Sequence, residues 1–395
     1  MRLLFVTVRY GHEVLGGAEA LVQALATRLQ QRGHQVEIAT TCALDYNTWE
    51  NFYAPGPTQV DGVAVNRFVN LRPRDRNFGA VSAHLFADPG HSISDEYDWI
   101  ERQGPVCPDL IDWISHNRNR FQAIVFLGYL YYPTVHGLAL ARDRAAFIPT
   151  AHDEPPLRLA VYRQVFKAAR LLLYNTPEEE DLVRRVIGPL TGRSALVGAG
   201  IDLPSSATER EPVPLAISGL QGPFALYAGR REIDKGCAEL VDAFEILKRL
   251  HPGPEQLLLL GQGAYRPPGR PDVLAPGFVD AQTKQAAVSA CDMVVVPSRL
   301  ESLSLLALEA MAHAKPILAN RACQVLLGHC RRSQGGLHYS RPLELAEQMH
   351  LLFSNPQVRS DLGDSGRRYV AANYSWAVVL DRFEAAMKAL VVADV

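Results

Sequence analysis

The sequence predicts an α/β protein built from two doubly wound parallel sheets. Short apolar runs rich in β-branched residues alternate with longer amphipathic segments, as expected for strands joined by crossover helices. The alternation breaks once, at residues 203–222, which are rich in Pro, Ser and Gly. The 395-residue chain is also longer than one hydrophobic core usually serves. We therefore expect an N-terminal domain at 1–202, a linker at 203–222, a C-terminal domain at 223–375, and a last helix at about 376–395 that can pack back on the first domain.

The composition is that of an ordinary globular protein, with 48% hydrophobic and 21% charged residues and a net charge of −2. Such a charge gives no electrostatic reason to expect nucleic acid as a partner. The six cysteines are scattered without a Cys-x-x-Cys pair, so we expect reduced, packed thiols. No stretch is long and apolar enough to span a bilayer, and no signal peptide is evident. We expect a cytoplasmic protein with at most peripheral contact at the inner membrane face.

Both halves of the chain alternate strands with helices. In the first half, Leu21, Leu25 and Leu29 at helical spacing indicate an amphipathic helix. The predicted elements of this half are strands at 2–8, 36–40, 123–127, 146–150, 171–175 and 195–197 and helices at 19–31, 109–116 and from 177 onward. Those of the second half are strands at 224–228, 256–260, 273–276, 292–296 and 316–319, helices at 238–250, 283–291, 304–314, 342–353, 358–373 and 376–391, and a turn at 335–337.

Residues 45–110 show no regular hydrophobic period and carry many aromatic residues among Pro, Gly and Asn. We predict an irregular, loop-rich insertion, which inside a compact domain is more often functional than idle. Its aromatic side chains either stack on a sugar or pack a local core, and we favour the core for most of them.

Several polar or glycine residues follow predicted strands of the first half. Gly16 and Gly17 precede the first helix, where the backbone and the helix N-terminus can approach an anion. They do not form the GxGxxG dinucleotide fingerprint. His152 and Asp153 follow one strand and Tyr129 follows another, and open parallel sheets bind ligands beyond the carboxyl ends of their strands. The alternatives are that Gly16 and Gly17 form a simple turn, and that His152 and Asp153 are a structural pair.

Glu301 and Glu309 flank the start of a Leu- and Ala-rich helix that follows a buried strand. A carboxylate on so apolar a helix is costly to bury unless something binds it. The two lie roughly 12 Å apart if the whole span is helical, too far to share one metal or one proton. That separation suits two parts of one polyhydroxyl ligand. The alternative is that Glu309 lies on the solvent-exposed face at the end of a surface helix.

Five short motifs occur along the chain in a specific order. They are Gly16-Gly17-Ala18-Glu19, His152-Asp153, Gly229-Arg230, Lys235-Gly236, and Glu301 with Glu309. Each motif is weak alone, but the ordered set resembles the retaining GT-B glycosyltransferases of family 4 over essentially the whole chain. The resemblance implies two Rossmann-like domains facing a central cleft. It also implies an enzyme of polysaccharide or glycolipid synthesis at the inner membrane face, although a soluble acceptor is equally open.

The resemblance implies that the C-terminal domain binds a nucleoside-diphosphate sugar of the UDP or GDP type. Arg230 and Lys235 would neutralise the diphosphate as negative charge develops on the leaving group. Glu309 would bind the ribose hydroxyls, and Glu301 the hydroxyls of the sugar. The remaining residues of the expected donor site are Gly16, Gly17, Gly261, Phe278, Val279, Ser302, Leu303 and Ser304, with Gly261 also typical of a turn.

The resemblance assigns His152, Glu301, Arg230 and Lys235 to catalysis, with His152 beside the anomeric carbon. It implies retention of configuration, no protein nucleophile, no cofactor and no metal. Glu19, Tyr129 and Asp153 are candidates for the acceptor side. The acceptor could be a glycan, a lipid-linked glycan or a small molecule, and the sequence predicts no oligomeric state.

Ser302-Leu303-Ser304 departs from the family, in which Gly-Phe-Gly is common after the first glutamate. This departure makes the donor sugar uncertain, and three alternatives stay open. The first is a non-catalytic nucleotide-sugar-binding module, and the second is a GT-B sugar-nucleotide epimerase. The third, which we favour least, is a metal site made by Cys323, His329 and Cys330.

Overall fold

The computed structural model describes residues 1–14, 16–204 and 217–392. Most of the predicted linker, residues 205–216, lies outside this range. The chain divides into two compact units. The N-terminal unit comprises Met1–Gly198 together with the chain from Leu380 onward, and the C-terminal unit comprises Ala199–Val379.

The N-terminal unit is built on one eight-stranded sheet. Its strands are β1 (Arg2–Val6), β2 (Gln35–Thr41), β3 (Gly56–Val60), β4 (Val63–Phe68), β5 (Ala123–Leu127), β6 (Ala145–Ile148), β7 (Leu171–Tyr174) and β8 (Arg193–Leu196). They are ordered β3-β4-β2-β1-β5-β6-β7-β8, and all neighbours are parallel except β3 and β4. Strands β5, β6 and β7 are buried along their whole length, which explains their continuous apolar sequences.

The α-helices of this unit lie between the strands. They are α1 (Gly17–Gln31), α2 (Phe78–Ala87), α3 (Ile93–Gln103), α4 (Pro108–Asn117), α5 (Tyr132–Gly137), α6 (Ala160–Ala168) and α7 (Pro177–Ile187). Helix α7 begins as the sequence suggests, because the Thr176 hydroxyl accepts a hydrogen bond from the Glu179 N–H and a proline occupies the first turn.

The C-terminal unit is built on one six-stranded parallel sheet. Its strands are β9 (Phe224–Ala228), β10 (Gln256–Leu260), β11 (Val273–Gly277), β12 (Met293–Val296), β13 (Ile317–Asn320) and β14 (Gly336–Tyr339). Their order is β11-β10-β9-β12-β13-β14. The helices are α8 (Cys237–Leu250), α9 (Ala281–Ala290), α10 (Leu305–Ala312), α11 (Gln324–Ser333), α12 (Pro342–Ser354), α13 (Pro356–Asn373) and α14 (Trp376–Val392). The prediction of two doubly wound α/β sheets is confirmed.

Helix α14 contributes to both units. From Leu380 onward it packs on the N-terminal unit, where the ring of Phe383 stacks on Phe5 with centroids 6.0 Å apart. Arg32, which directly follows α1, donates to Asp381 over 2.6 Å. None of the helices in the described residues combines the length and the apolar character that a membrane-spanning segment requires.

The prediction that residues 45–110 are irregular is wrong. The segment contains the β3–β4 hairpin and helices α2 and α3. Asp61 and Gly62 both have positive φ, +49° and +78°, and form the two-residue turn between the paired residues Val60 and Val63. An Asp-Gly pair between strands is a recognised hairpin signal, which the sequence analysis overlooked. The turn predicted at residues 335–337 is also wrong, because the edge strand β14 begins at Gly336.

Apart from the β3–β4 hairpin at one edge, the strand order of each sheet changes direction once, and such switch points are where open α/β sheets bind ligands. In the N-terminal unit the change falls between β1 and β5, and in the C-terminal unit between β9 and β12. The loops that follow these four strands therefore define where a site is expected in each unit.

Candidate functional site

The loops after β9 and β12 approach each other closely at the switch point of the C-terminal unit. Gly236 caps helix α8 with φ +78°, and a Cβ atom there would lie 2.6 Å from the carbonyl oxygen of Pro297. Only glycine accepts both the positive φ and this approach. The contact brings the neighbouring residue, Lys235, beside the loop that carries Glu301.

Lys235 and Glu301 form an ion pair at this point. The Lys235 Nζ donates to Glu301 Oε1 over 3.1 Å, and the two side chains are 25% and 20% exposed. An ammonium group has three N–H donors, so this bond leaves others for an anion. The structure thus joins two residues that the sequence analysis placed in different motifs.

Arg230 and Arg231 occupy the same loop but differ in burial. Arg230 is exposed, and its carbonyl oxygen accepts a hydrogen bond from the Tyr227 hydroxyl over 2.6 Å. Arg231 is buried, and its Nε has no hydrogen-bond partner among the described residues. A buried guanidinium nitrogen without an acceptor is unusual in proteins. Arg231 was not among the residues predicted at the site, although it directly follows Arg230.

Gly261 has a packing role in the structure. It follows β10 with φ +115°, and a Cβ atom there would collide with the carbonyl oxygen of Gly229. Phe278 and Val279 follow β11, and the Phe278 ring is 54% exposed at the carboxyl edge of the sheet. An exposed aromatic ring at such an edge can stack on a flat ligand group.

Glu309 has a protein partner that the sequence did not reveal. Lys284 on α9 lies 2.9 Å from Glu309 Oε1 and 2.7 Å from Oε2. The Glu309 side chain is 17% exposed, and the lysine compensates the cost of burying its charge. Lys284 therefore offsets part of the cost of burying Glu309, although Oε2 is buried and accepts no hydrogen bond within the described residues.

The segment from Ser302 to Ser304 is held in an unusual conformation. Ser304, at the start of α10, has left-handed backbone angles of φ 68° and ψ 83°. The carbonyl oxygen of Leu303 is 2.9 Å from Nε2 of the fully buried His329. Burial lowers the pKa of His329 to about 4, so the ring is neutral at physiological pH. Nε2 carries the proton because a carbonyl can only accept.

The metal site suggested by Cys323, His329 and Cys330 is not supported. The second ring nitrogen of His329 lies 3.2 Å from the Tyr369 hydroxyl, so both nitrogens have partners. Burial raises the pKa of Cys323 to about 11 and that of Cys330 to about 12, which keeps both thiols protonated. Within residues 1–14, 16–204 and 217–392, no group of His, Cys, Asp and Glu could hold a metal ion.

In the N-terminal unit, Gly16 and Gly17 begin α1 beside a buried ion pair. Both the Nε and the Nη2 of Arg9 donate to Glu19 Oε1, the former over 3.0 Å, and a Cβ atom on Gly16 would collide with the Glu19 carboxylate. Glu19 was predicted on the acceptor side, and the structure shows it buried and bound to Arg9.

His152, after β6, lies beside the carboxylate of Glu154. Its Nδ1 lies 3.6 Å from Glu154 Oε1, and the same oxygen accepts a 2.7 Å hydrogen bond from the Tyr129 hydroxyl. His152 is 33% exposed, whereas Tyr129 is buried in the core and burial raises its pKa well above the ordinary value. Asp153 turns away and pairs with Arg158 over 2.6 Å. The histidine is thus paired with Glu154 and not with Asp153.

The loop that carries His152 is held by a buried carboxylate that the sequence analysis missed. The two oxygens of Glu179 accept hydrogen bonds from the backbone N–H groups of Ala151 and Asn175, each over 2.7 Å. Burial raises the pKa of Glu179 to about 7. Thr150 has φ +50°, which is strained for a β-branched residue. Glu179 therefore stabilises a strained turn next to His152.

Two family models match the chain. The model described as "Glycosyl transferases group 1" matches residues 222–355, and the model described as "Glycosyl transferase 4-like domain" matches residues 16–200. A D-inositol 3-phosphate glycosyltransferase of Xylanimonas cellulosilytica is 28% identical over 94% of this chain and 92% of that protein. A protein of the same name from Jonesia denitrificans is 24% identical over 91% of this chain and 88% of that protein.

Solved structures with a similar fold cover the whole chain. A sucrose-phosphate synthase from Thermosynechococcus elongatus has a TM-score of 0.69 at 20% identity and covers 99% of both chains. Anabaena HepE in complex with UDP has a TM-score of 0.68 at 14% identity, covering 98% of this chain and 100% of that one. The trehalose-6-phosphate synthase OtsA has a TM-score of 0.72 at 13% identity, covering 98% and 99%. At these identities the likeness is one of fold.

Proposed function

Because the chain belongs to family 4 of the glycosyltransferases and has the GT-B fold, we propose that it transfers a sugar from a nucleoside diphosphate to an acceptor. We propose further that the transfer retains the anomeric configuration and needs no metal. The observation that carries the proposal is the Lys235–Glu301 pair at the switch point of the C-terminal sheet. It presents a cation for phosphate beside a carboxylate for sugar hydroxyls.

The departing diphosphate is the group that the C-terminal unit must stabilise. When the bond between the anomeric carbon and the β-phosphate oxygen breaks, negative charge develops on that oxygen. Lys235 and Arg230 supply fixed positive charge there, and the N–H groups at the start of α10 add to it. These groups do the work that a divalent cation does in other phosphate sites, which is our reason for proposing a metal-independent reaction.

The remaining donor contacts follow from the same arrangement. Glu301 accepts hydrogen bonds from the sugar hydroxyls, and Glu309, oriented by Lys284, accepts them from the ribose. Phe278, exposed at the same sheet edge, is placed to stack on the base. We propose UDP as the first nucleotide to test, because the similar structures include HepE with UDP and with UDP-glucose.

On the acceptor side, His152 is the residue that we propose to contact the sugar near its anomeric carbon. The acceptor oxygen forms the new bond on the face from which the diphosphate leaves, and its proton passes to the departing phosphate oxygen. We propose that Glu154, 3.6 Å from His152, and Glu179, bound to the backbone of Ala151, help to position His152 without touching the substrate. The acceptor is a glycan, a lipid-linked glycan or a small molecule.

Binding and turnover test different parts of this proposal. By calorimetry, UDP should bind the wild-type protein, and Lys235→Ala and Glu309→Ala should each weaken binding at least about tenfold, as expected for losing a charged hydrogen bond. Arg249→Ala, which removes an exposed cation from α8, should bind normally. Unchanged affinity in the Lys235 and Glu309 variants would contradict the donor site.

Turnover tests the role of His152. His152→Ala should keep UDP affinity and lose transfer. If the wild type binds UDP but transfers no sugar, a non-catalytic module is favoured.

A further inference from the structure

A cavity of about 540 Å³ lies at the amino ends of three neighbouring strands of the N-terminal sheet. Its lining comes mainly from the segments that precede β6, β7 and β8. His152, by contrast, follows the carboxyl end of β6, at the opposite edge of the same sheet. The cavity is therefore separate from the site that we propose around His152.

A close approach between two loops brings the lining residues together. Gly192 packs so tightly against the end of α6 that a Cβ atom there would collide with the carbonyl oxygen of Ala169. The N–H of Arg193, the first residue of β8, donates to the carbonyl oxygen of Arg170 over 2.9 Å. Arg170 directly precedes β7, and Lys167 lies just before it at the end of α6. Three cations thus reach one cavity from neighbouring strand starts.

The charge of this lining is strongly one-sided, and we call the site the basic cavity. It contains five cations, which are Arg118, Arg142, Lys167, Arg170 and Arg193. Asp143 is the one carboxylate among the described residues that line it. Arg144 already binds Asp143, since its Nε and Nη2 donate to the same carboxylate oxygen over 3.0 and 2.9 Å. Because the whole chain has a net charge of −2, the excess of positive charge is local.

The contacts of these cations fix their positions without neutralising their charge. Arg118, Arg170 and Arg193 each donate to a backbone carbonyl oxygen, the last two over 3.3 and 2.7 Å. A carbonyl group orients a guanidinium but carries no net charge, and a guanidinium has five N–H donors. Arg142 and Lys167 are exposed, and neither has a hydrogen bond or an ion pair within the described residues.

The helix dipole explains part of this arrangement. Lys167 lies in the last turn of α6, and Arg142 in that of the short 3-10 helix before β6, where a positive charge is favourable. One cation at each helix end satisfies that effect. It does not account for the three further guanidiniums at the same cavity. Like charges gathered at one place repel each other, and an anion between them removes the repulsion.

We propose that the basic cavity binds a compact small molecule with two or more phosphate groups, and that Arg142 and Lys167 supply charge for binding it. This inference does not rest on the proposed glycosyl transfer. Each guanidinium of the lining is a planar fork that matches two phosphate oxygens, and the lysine adds a point charge. A single phosphate would leave most of the five cations unneutralised.

The size and the lining of the basic cavity favour a small polyanion over a macromolecule. Its volume lies within the roughly 300–1,000 Å³ that is typical of small-molecule sites. Leu140 is the one large apolar side chain among the described residues that line it, so an apolar body would find little contact. A flat bilayer surface would leave a concave site of this kind unfilled.

The test uses Arg142→Gln/Lys167→Gln, a double variant that removes the two exposed cations. Arg163→Gln is the matched control, because Arg163 is an exposed cation of α6 that does not line the cavity. Lys235→Ala controls for phosphate binding at the proposed donor site. Tripolyphosphate, ATP and inorganic phosphate are titrated by calorimetry into each full-length protein. Co-sedimentation with phosphatidylglycerol vesicles tests a membrane surface as the alternative partner.

We expect tripolyphosphate to bind the wild type at least about tenfold more tightly than inorganic phosphate does. The double variant should bind tripolyphosphate at least about tenfold more weakly, whereas Arg163→Gln and Lys235→Ala should keep this binding. Tighter binding of ATP than of tripolyphosphate would identify a nucleotide as the occupant, and the reverse an inorganic polyphosphate. Without ligand, at low ionic strength, the double variant should melt at the wild-type temperature or higher, because it removes like-charge repulsion.

Three results would overturn the proposal. The first is a wild type that does not bind tripolyphosphate. The second is equal tripolyphosphate affinity in the wild type and in Arg142→Gln/Lys167→Gln. If Lys235→Ala alone then loses the binding, the probe occupies the proposed donor site. The third is a double variant that loses vesicle binding while its tripolyphosphate affinity stays unchanged, since the cations would then serve a membrane surface.

Discussion

The ring of His329 donates a hydrogen bond from Nε2 to the carbonyl oxygen of Leu303, over 2.9 Å. Leu303 lies between Glu301 and the helix that carries Glu309, in the Ser302-Leu303-Ser304 segment of the expected donor site. The neighbouring Ser304 has left-handed backbone angles. A buried neutral histidine on α11 therefore fixes the backbone that presents N–H groups to the proposed diphosphate site.

We predict that His329→Phe weakens UDP binding and lowers the free energy of unfolding by about 1–3 kcal/mol, because it leaves a buried carbonyl without a donor. His329→Gln, whose amide N–H can reach the same carbonyl, should restore most of the UDP affinity. Calorimetry and urea unfolding measure the two effects. If the Phe variant loses stability but binds UDP normally, His329 has no positioning role.

Glu179 should make stability depend on pH in a specific direction. Its pKa is about 7 in the folded protein against 4.5 for an ordinary glutamate, so between these values the folded state holds a proton that the unfolded state has lost. The contribution of Glu179 to the free energy of unfolding therefore falls as pH rises from 4.5 to 7, by on the order of 3 kcal/mol. Glu179→Gln should flatten this slope in urea unfolding across that range. Parallel slopes for wild type and Glu179→Gln would refute the assignment.

Lys284 and Glu309 should behave as a coupled pair. Lys284→Met leaves a mostly buried carboxylate without its partner and should cost about 1–2 kcal/mol, less than for a fully buried pair because Lys284 is 34% exposed. Adding Glu309→Met should recover much of that loss. Urea unfolding of both single variants and the double variant gives the coupling energy. Strictly additive effects would show that the pair contributes nothing to folding.

Gly236 should tolerate alanine less well than a glycine that has only a positive φ. Gly236→Ala combines unfavourable φ with a clash against Pro297, whereas Gly188→Ala, at φ +91°, meets no atom within 4 Å. Gly236→Ala should lower the free energy of unfolding by about 1–3 kcal/mol more than Gly188→Ala does, because overpacking adds to the backbone strain. It should also weaken UDP binding by displacing Lys235. Equal losses would mean that the approach to Pro297 relaxes freely.

The sequence was sufficient to predict the alternating strands and helices, because apolar runs and helical periods are local signals. The strand at 224–228 and that at 256–260 agree with the structure residue for residue. The hairpin at β3–β4 was missed because its signal, Asp61-Gly62, lies among many other turn residues. Strand β14 was missed because Gly335-Gly336 indicates a turn, and only pairing with Ile317–Asn320 makes Gly336–Tyr339 a strand.

The residues expected at the donor site were found in sequence motifs, but their partners were not. Lys284 meets Glu309 from another helix, and His329 meets Leu303 from 26 residues away. Glu179 lies within the helix predicted from residue 177 onward, and nothing in the local sequence indicates that its oxygens bind the backbone after two different strands, at Ala151 and Asn175. Pairings of this kind depend on how elements pack, and no local pattern records them.

The shared helix α14 has a consequence for the order in which the protein can be completed during translation. Phe5 stacks on Phe383, and Arg32 binds Asp381, so β1 and the residue that follows α1 find these partners only after α14, much later in the chain, has been synthesised. The N-terminal unit is therefore completed only after the C-terminal sheet has been synthesised. A nascent chain that stops at residue 375 carries a whole C-terminal sheet, yet leaves an apolar face of its N-terminal unit open to water and to other nascent chains.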